Sequence, residues 1–274
     1  MLGVPALPDL DDLPEHAALL HRIVDRFGGD ARVEALVLGG SLAQGEGDAW
    51  SDIDLYVVVT ERDFADVFAE RTMAAASVGR PLAQFTVPGV GGGSTDQIVL
   101  YDNFVKLDLM YYRASEVGPH HKWAKALVLK DVHGLMGDVQ QRSRSLEPVA
   151  LSDEELLTLD QQFWVWCWYA LGKIRRGERW AALDALNEIR IAAVVPLLLA
   201  IRQQHHERYR RLEAKLGDAE ATLAPTVASL ERDSQLAALR QEVALFTTAR
   251  ASLMGPRGLA VNETAKTALQ SALA

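Results

Sequence analysis

Cysteine is almost absent from this 274-residue chain, in which Cys167 is the only one. A single cysteine excludes an intrachain disulfide and is typical of proteins from a reducing compartment. Long apolar runs are missing as well, because the longest, residues 191–201, is too short to cross a bilayer and contains Pro196. The N-terminal residues lack the basic segment and apolar run of a signal peptide. We therefore expect a cytoplasmic protein that does not associate with a membrane.

An excess of basic residues is also missing, and the formal net charge is -9. Residues 1–150 contain 13 Lys and Arg against 22 Asp and Glu, whereas residues 151–274 contain 15 of each kind. An acidic surface repels phosphate backbones, so we expect no polynucleotide partner. Hydrophobic residues make up 49% of the chain, which is typical of a globular protein with a substantial core.

Short apolar runs and helical periodicity alternate in the first half of the chain. Amphipathic helices are predicted over residues 14–27 and 62–76. The predicted strands span residues 33–38, 53–59, 84–87, 97–101, 104–112 and 126–130. Residues 88–95 contain four glycines and are expected to form a mobile loop.

From Ser152 onward the pattern is helical almost to the end of the chain. Ser152 and Glu155 have the spacing of a capping box, which marks the start of a helix. The predicted helices span residues 154–176, 179–209, 211–216, 219–255 and 262–273. This change predicts an α+β fold, in which a mixed β-sheet with helices packed on one side is followed by an all-helical bundle. We expect a catalytic domain at residues 1–145 and a substrate-binding helical domain at residues 146–274, with the active site in a cleft between them.

Two acids and a Gly-Ser pair lie where two of the predicted strands end or begin. Asp52 and Asp54 are two residues apart at the start of a strand, so alternation places both carboxylates on one face. Carboxylates in this position are typical ligands of Mg²⁺. Gly40 allows phosphate to approach the backbone closely. Ser41 is expected to cap a short helix, whose free amides would bind phosphate oxygens together with its hydroxyl.

A third acid lies on another predicted strand. Asp108 shares a strand face with Lys106, opposite the apolar residues that alternate with them. If this strand lies beside the strand of Asp54, three carboxylates converge. Asp108 is then a candidate to accept the proton of a substrate hydroxyl or to help hold a second metal ion.

The segment GSLAQGEGDAWSDID resembles the signature of the nucleotidyltransferase superfamily, which is Gly-Ser, a spacer and Asp-x-Asp. The segment LDLMYY resembles the strand that carries the third acid of that superfamily. The resemblance covers residues 33–113. The helical half, and in particular FWVWCWYALGKIRRGERWAALDALNEIR, is similar in kind to that of the aminoglycoside and lincosamide nucleotidyltransferases.

This resemblance implies transfer of AMP, usually from ATP, to a hydroxyl of a small molecule such as an aminoglycoside or lincosamide antibiotic. A role in antibiotic resistance would follow. It also implies that Asp52 and Asp54 bind Mg²⁺ and that Asp108 is a further metal ligand or the base. Gly40 and Ser41 would hold the phosphates of the nucleotide, with Ser51 as a further nucleotide-binding candidate.

Two other functions remain open at the level of sequence. A protein-modifying, AMPylating nucleotidyltransferase of the antitoxin type shares the ten-residue spacer, but such proteins are usually short single domains. A non-enzymatic binding protein with the same fold is the third possibility, and the intact set of three acids argues against it.

The helical half offers further candidates. Lys173 lies near the end of a predicted helix and is a candidate to reach the triphosphate. Asp160 and Glu188 are alternative bases, although a solvated helix acid is the simpler interpretation of each. The aromatic residues between 163 and 169 have helical spacing, which favours a core role over a stacking wall for a ligand. Exposed apolar residues on these helices would suit a homodimer.

Overall fold

The computed structural model describes residues 7–88, 95–146 and 150–273. The chain divides into two compact units, Met1–Leu146 and Glu147–Ala274. The central part of the predicted glycine-rich loop, residues 89–94, lies outside the described residues. Within those ranges, no helix combines the length and the hydrophobicity that crossing a lipid bilayer requires.

The described part of the first unit contains a six-stranded mixed sheet, as the sequence predicts. Its strands are β1 (Val33–Leu38), β2 (Ile53–Val59), β3 (Pro81–Pro88), β4 (Thr95–Tyr101), β5 (Lys106–Arg113) and β6 (Leu127–Asp131). Their order is β3-β4-β5-β2-β1-β6. The central pair β2 and β5 is parallel, and the other neighbouring pairs are antiparallel.

The helices of the first unit depart from the predictions in three places. They are α1 (Pro14–Gly28), α2 (Gly40–Ala43), α3 (Phe64–Ala69), α4 (Arg71–Val78), α5 (His121–Ala124) and α6 (Leu135–Arg144). The single helix predicted over residues 62–76 is two helices that meet at Glu70, whose carboxylate accepts two hydrogen bonds from Arg32. Helices α5 and α6 were not predicted; α5 has only four residues, and the apolar residues of α6, LMGDVQQRSR, all lie in its first half.

Helices cover both faces of the sheet, so the prediction of helices on one side was wrong. One buried cluster joins apolar side chains of β1, β2, β4 and β5 to α1 and α4. A second cluster, on the opposite face, joins Val37, Val58 and Tyr112 to Trp123 of α5 and Met136 of α6. Consecutive residues of one strand point to opposite faces, so a strand of consecutive apolar residues, such as Leu36 and Val37 of β1, contributes to both clusters. Both faces of the central strands therefore carry apolar residues.

The described part of the second unit is helical, as predicted. Its helices are α7 (Asp153–Arg175), α8 (Arg179–Ile189), α9 (Val195–Ile201), α10 (Leu212–Leu216), α11 (Arg232–Met254) and α12 (Glu263–Leu273). One turn of π-helix, Arg190–Val194, joins α8 to α9. Ser152 and Glu155 form the predicted capping box at the start of α7.

Two of the predicted helices in this unit were too long. The helix predicted over residues 179–209 ends at Ile201, because Gln203 and Arg208 adopt positive φ values that a right-handed helix excludes. The helix predicted over residues 219–255 begins at Arg232. The preceding residues form 3₁₀ turns, one of which contains Pro225.

The aromatic residues of α7 are divided between core and surface. Phe163 is buried and stacks on Phe246 of α11, with ring centroids 3.6 Å apart, and Trp164 packs beside both rings. Trp168 and Tyr169 are exposed. The predicted core role therefore holds for the first two rings and not for the last two.

Asp160 is not the solvated helix acid that was predicted. It is 1% exposed, and its carboxylate accepts hydrogen bonds from Arg250, from Trp164 Nε1 at 3.2 Å and from the Asn262 amide at 2.6 Å. An acid held by three donors in the core acts in packing and is a poor candidate for a general base. Glu188, by contrast, is exposed, with Arg208 at 3.5 Å.

Candidate active site

The parallel pairing of β2 and β5 places two acids side by side. Asp54 of β2 lies directly opposite Asp108 of β5 in this register. Two residues further along each strand, Tyr56 and Met110 pack against the cluster that α5 and α6 form with the sheet. Alternation therefore directs both acids to that same face, near the starts of their strands and beyond the apolar packing.

Asp52, just before β2, completes a group of three carboxylates. One oxygen from each of Asp52, Asp54 and Asp108 lies within 4.8 Å of the others, and all three side chains are partly buried. In the described residues this is the only group of three potential metal-ligating side chains of this kind. Oxygen ligands sit about 2.0–2.6 Å from Mg²⁺ or Ca²⁺, so oxygens on one ion are at most about 5 Å apart. The donor set and its spacing fit a divalent cation.

Lys106 places a positive charge between two of these acids. Its Nζ donates to Asp52 Oδ2 at 3.0 Å and to Asp108 Oδ2 at 2.7 Å. Burial alone would lower the pKa of Lys106, but the hydrogen bonds and the attraction to Asp108 and Asp52 outweigh burial and raise it. The ammonium therefore stays charged at neutral pH, and its position shows that the carboxylates accommodate a cation.

The turn after β1 lies directly against Asp54. The Gly39 amide donates to the backbone carbonyl of Asp54 at 2.8 Å. Gly40 has a φ of +65°, and a Cβ added there would lie 2.0 Å from Asp54 Oδ2. A side chain at position 40 would therefore both strain the backbone and displace the carboxylate. Glycine at this position is required by the close approach of the turn to the acid.

Ser41 and Ser51 are joined by a hydrogen bond of 3.0 Å between their hydroxyl oxygens. Ser51 Oγ also accepts from the Asp48 amide at 2.9 Å and donates to the Asp48 carboxylate at 3.2 Å. The N-cap of α2 is Gly39, so the prediction that Ser41 caps this helix was wrong. Ser41 lies within the four-residue helix, and its side chain closes the loop that leads to Asp52.

Two residues beside the acids were not singled out from the sequence. His16 of α1 is buried, and its Nε2 donates to the backbone carbonyl of Ser51 at 2.8 Å. This bond fixes the end of the loop immediately before Asp52. Trp50, in the same loop, is 94% exposed. His16 shares the buried face of α1 with Leu19 and Leu20, and this helical spacing is the signal that could have identified it.

Lys173 belongs to the second unit, near the end of α7. Its Nζ donates to Glu178 Oε2 at 2.6 Å and lies 5.1 Å from the centroid of the Tyr169 ring. These contacts connect the end of α7 with the residue just before α8. Its role in nucleotide binding stays a prediction.

Comparison with protein families identifies the class of this site. Residues 19–85 match the sequence model of the nucleotidyltransferase domain family. The match includes the Gly40 turn and both acids of the Asp52-x-Asp54 pair, while Asp108 lies beyond it and joins the site through the β2–β5 pairing. The chain therefore carries a nucleotidyltransferase domain and is an enzyme of the nucleotidyltransferase class.

Two of the solved structures that match this chain do so over most of its length. An aminoglycoside 6-adenyltransferase from Bacillus subtilis has a TM-score of 0.44 and 17% identity, with 92% of this chain and 95% of that chain covered. A nucleotidyltransferase-like protein from Exiguobacterium sibiricum has a TM-score of 0.41 and 10% identity, with 85% and 76% covered. At TM-scores below 0.5, neither similarity bears on substrate or mechanism. No curated protein matches the sequence.

Proposed function

We propose that this protein is a Mg²⁺-dependent enzyme that transfers a nucleoside monophosphate, AMP from ATP, to a hydroxyl of a small molecule. The observation that carries the proposal is the meeting of Asp52, Asp54 and Asp108 within 4.8 Å beside the Gly40 turn. Three carboxylates at this spacing suit divalent cations that also bind the phosphates of a nucleotide.

In the proposed reaction the acceptor hydroxyl oxygen attacks the α-phosphorus of the nucleoside triphosphate. A new O–P bond forms, the bond between the α-phosphorus and the bridging oxygen breaks, and pyrophosphate leaves. Asp52 and Asp54 are the proposed Mg²⁺ ligands, and the ion supplies positive charge that stabilises the negative charge of the transition state. Asp108 is the proposed acceptor of the hydroxyl proton or a third ligand of the ion.

The turn after β1 is the proposed binding site for the phosphates. Gly40 lets the turn pack against the Asp54 carboxylate, and the Ser41 and Ser51 hydroxyls, hydrogen-bonded to each other, follow and precede this close contact in the chain. Since α2 has only four residues, hydrogen bonds from amides and hydroxyls would do more here than a helix dipole. Lys173 is retained as a proposed contact to the triphosphate.

We propose that the acceptor is a polyhydroxylated, cationic small molecule of the aminoglycoside type, with lincosamides as a second group to test. The excess of acidic residues in the first half of the chain, 22 against 13 basic ones, attracts cations and repels anionic polymers. Modification of such an acceptor would confer antibiotic resistance.

Incubation of the purified protein with Mg²⁺ and ATP labelled at the α-phosphate tests the proposal. Aminoglycosides, lincosamides and a mixture of proteins serve as acceptors. We expect label on a small molecule, with loss of transfer in Asp52→Asn and full transfer in the control Asp102→Asn, which makes the same chemical change at an exposed acid of the β4–β5 turn. Label on proteins alone would establish the AMPylating alternative, and no labelled product would contradict both.

A further inference from the structure

Lys106 places its ammonium between two of the three carboxylates that could hold a metal ion. It is the first residue of β5, two residues before Asp108, and so lies on the same face of the strand. Its ammonium contacts both Asp52 and Asp108 at hydrogen-bonding distance. The side chain is 42% exposed, so its four-carbon stem has room to move toward solvent.

The charges of this group explain why a cation is needed there. Three carboxylates within 4.8 Å repel one another, and the repulsion is strong because the side chains are partly buried. One ammonium neutralises only one of the three negative charges. The group therefore keeps a net attraction for a divalent cation, while a divalent cation and the ammonium repel each other at the same carboxylate oxygens.

We infer that Lys106 is an exchangeable counter-ion: it holds the three carboxylates together in the metal-free protein and gives up Asp52 and Asp108 when a divalent cation binds. This inference rests on the proposed metal-binding role of the carboxylates. Metal and lysine compete for the same oxygens, so the protein alone binds metal weakly. A bound triphosphate relieves the competition, because its negative charges offer the displaced ammonium another partner. Metal binding is thereby coupled to nucleotide binding.

Substitution of Lys106 by methionine tests whether the ammonium competes with a metal ion for the carboxylate oxygens. Methionine keeps a linear stem of similar length and removes the charge. Lys130→Met is the matched control, since Lys130 lies on β6 and its Nζ donates to the Asp30 carbonyl at 2.8 Å. Both variants change the net charge by the same amount, so a general electrostatic effect on metal binding appears in both.

Isothermal titration with Mn²⁺, in the absence of nucleotide, is the experiment. We expect Lys106→Met to bind Mn²⁺ about tenfold more tightly than the unmodified protein, and Lys130→Met to change the affinity less than about twofold. Without metal, Lys106→Met should melt at a lower temperature than the unmodified protein, and Mn²⁺ should raise its melting temperature by a larger amount. Lys106→Gln serves as a second neutral variant and should behave in the same way.

Equal or weaker Mn²⁺ binding by both neutral variants, with binding still lost in Asp54→Asn, would overturn the counter-ion role and leave the metal site standing. Mn²⁺ binding that survives in Asp54→Asn, or is absent from every protein tested, would overturn the metal site and this inference with it. The two failures are therefore distinguishable.

Discussion

Substitution of Gly40 by alanine tests how closely the turn after β1 fits against Asp54. An added Cβ would meet Asp54 Oδ2 at 2.0 Å, and Gly40 also has a φ of +65°. Gly45 provides a matched control in the same loop region, because its φ is +70° and an added Cβ would meet nothing within 4 Å. Both substitutions place alanine at a positive φ, which is unfavourable for the backbone. Only Gly40→Ala also brings the new Cβ into collision with Asp54.

The two contributions have different expected sizes. Alanine in the left-handed region costs about 1–2 kcal/mol of folding free energy at either position. Real Cβ atoms keep at least 3.0 Å from such neighbours, so the Asp54 carboxylate has to move by about 1 Å in Gly40→Ala. Metal–oxygen distances tolerate about 0.2 Å, so this movement removes Asp54 as a ligand. We expect a loss of Mn²⁺ affinity of about 10–100-fold.

Urea denaturation measures the stability cost, and calorimetric titration with Mn²⁺ measures the affinity. Gly45→Ala should lose stability by about 1–2 kcal/mol and keep its Mn²⁺ affinity. Gly40→Ala should lose at least as much stability and bind Mn²⁺ about 10–100-fold more weakly. Equal Mn²⁺ affinities in the two variants would refute the reasoning, because the carboxylate would then have moved without consequence for the metal.

Three further substitutions follow from the same structure. Asp108→Asn should lower turnover by about 10²–10⁴-fold, with a smaller change in nucleotide affinity, and equal losses in steady-state kinetics would indicate a binding role instead. Arg250→Met leaves the buried carboxylate of Asp160 without its main partner and should cost about 3–5 kcal/mol in urea denaturation, whereas a cost below about 1 kcal/mol would contradict that pairing. Glu242 is fully buried, and burial raises its pKa well above the ordinary 4.5 despite the nearby Arg190. The folded state therefore keeps a proton that the unfolded state releases, and stability falls as the pH rises from 4.5 toward the raised pKa. Glu242→Gln should remove this slope, and an unchanged slope between pH 4.5 and 8 would contradict it.

Much of the sheet follows from local sequence patterns. Strand alternation places Asp52 and Asp54 on one face, and Asp108 on the face of its own strand that also carries Lys106. The pairing of β2 with β5 is not a local property, because some fifty residues and two other strands separate them in the chain. Only the parallel register places Asp54 opposite Asp108.

The contacts that shape the site are less accessible from sequence. The bond from Lys106 to Asp52 crosses between strands and needs the register to be known. The close approach of Gly40 to Asp54 depends on the exact path of the turn after β1. Periodicity identifies α1 as amphipathic but does not reveal that His16 reaches the carbonyl before Asp52.

In the helical unit, periodicity predicts helices and fails where their ends are set by other interactions. Positive φ values occur at Gln203 and Arg208, where the sequence has no glycine to indicate the end of a helix. Local sequence predicts a surface acid at Asp160, because its partner Arg250 lies 90 residues later in the chain and is outside any local pattern. A buried ion pair of this kind is a tertiary feature, and local sequence does not contain it.

The most direct measurement is anomalous diffraction from crystals grown with Mn²⁺ and a non-hydrolysable ATP analogue. We predict an anomalous peak within about 2.0–2.6 Å of carboxylate oxygens of Asp52 and Asp54, with the α-phosphate of the analogue bound to the same ion. A well-ordered nucleotide without such a peak, or with Mn²⁺ bound away from these carboxylates, would contradict the proposed metal-dependent transfer.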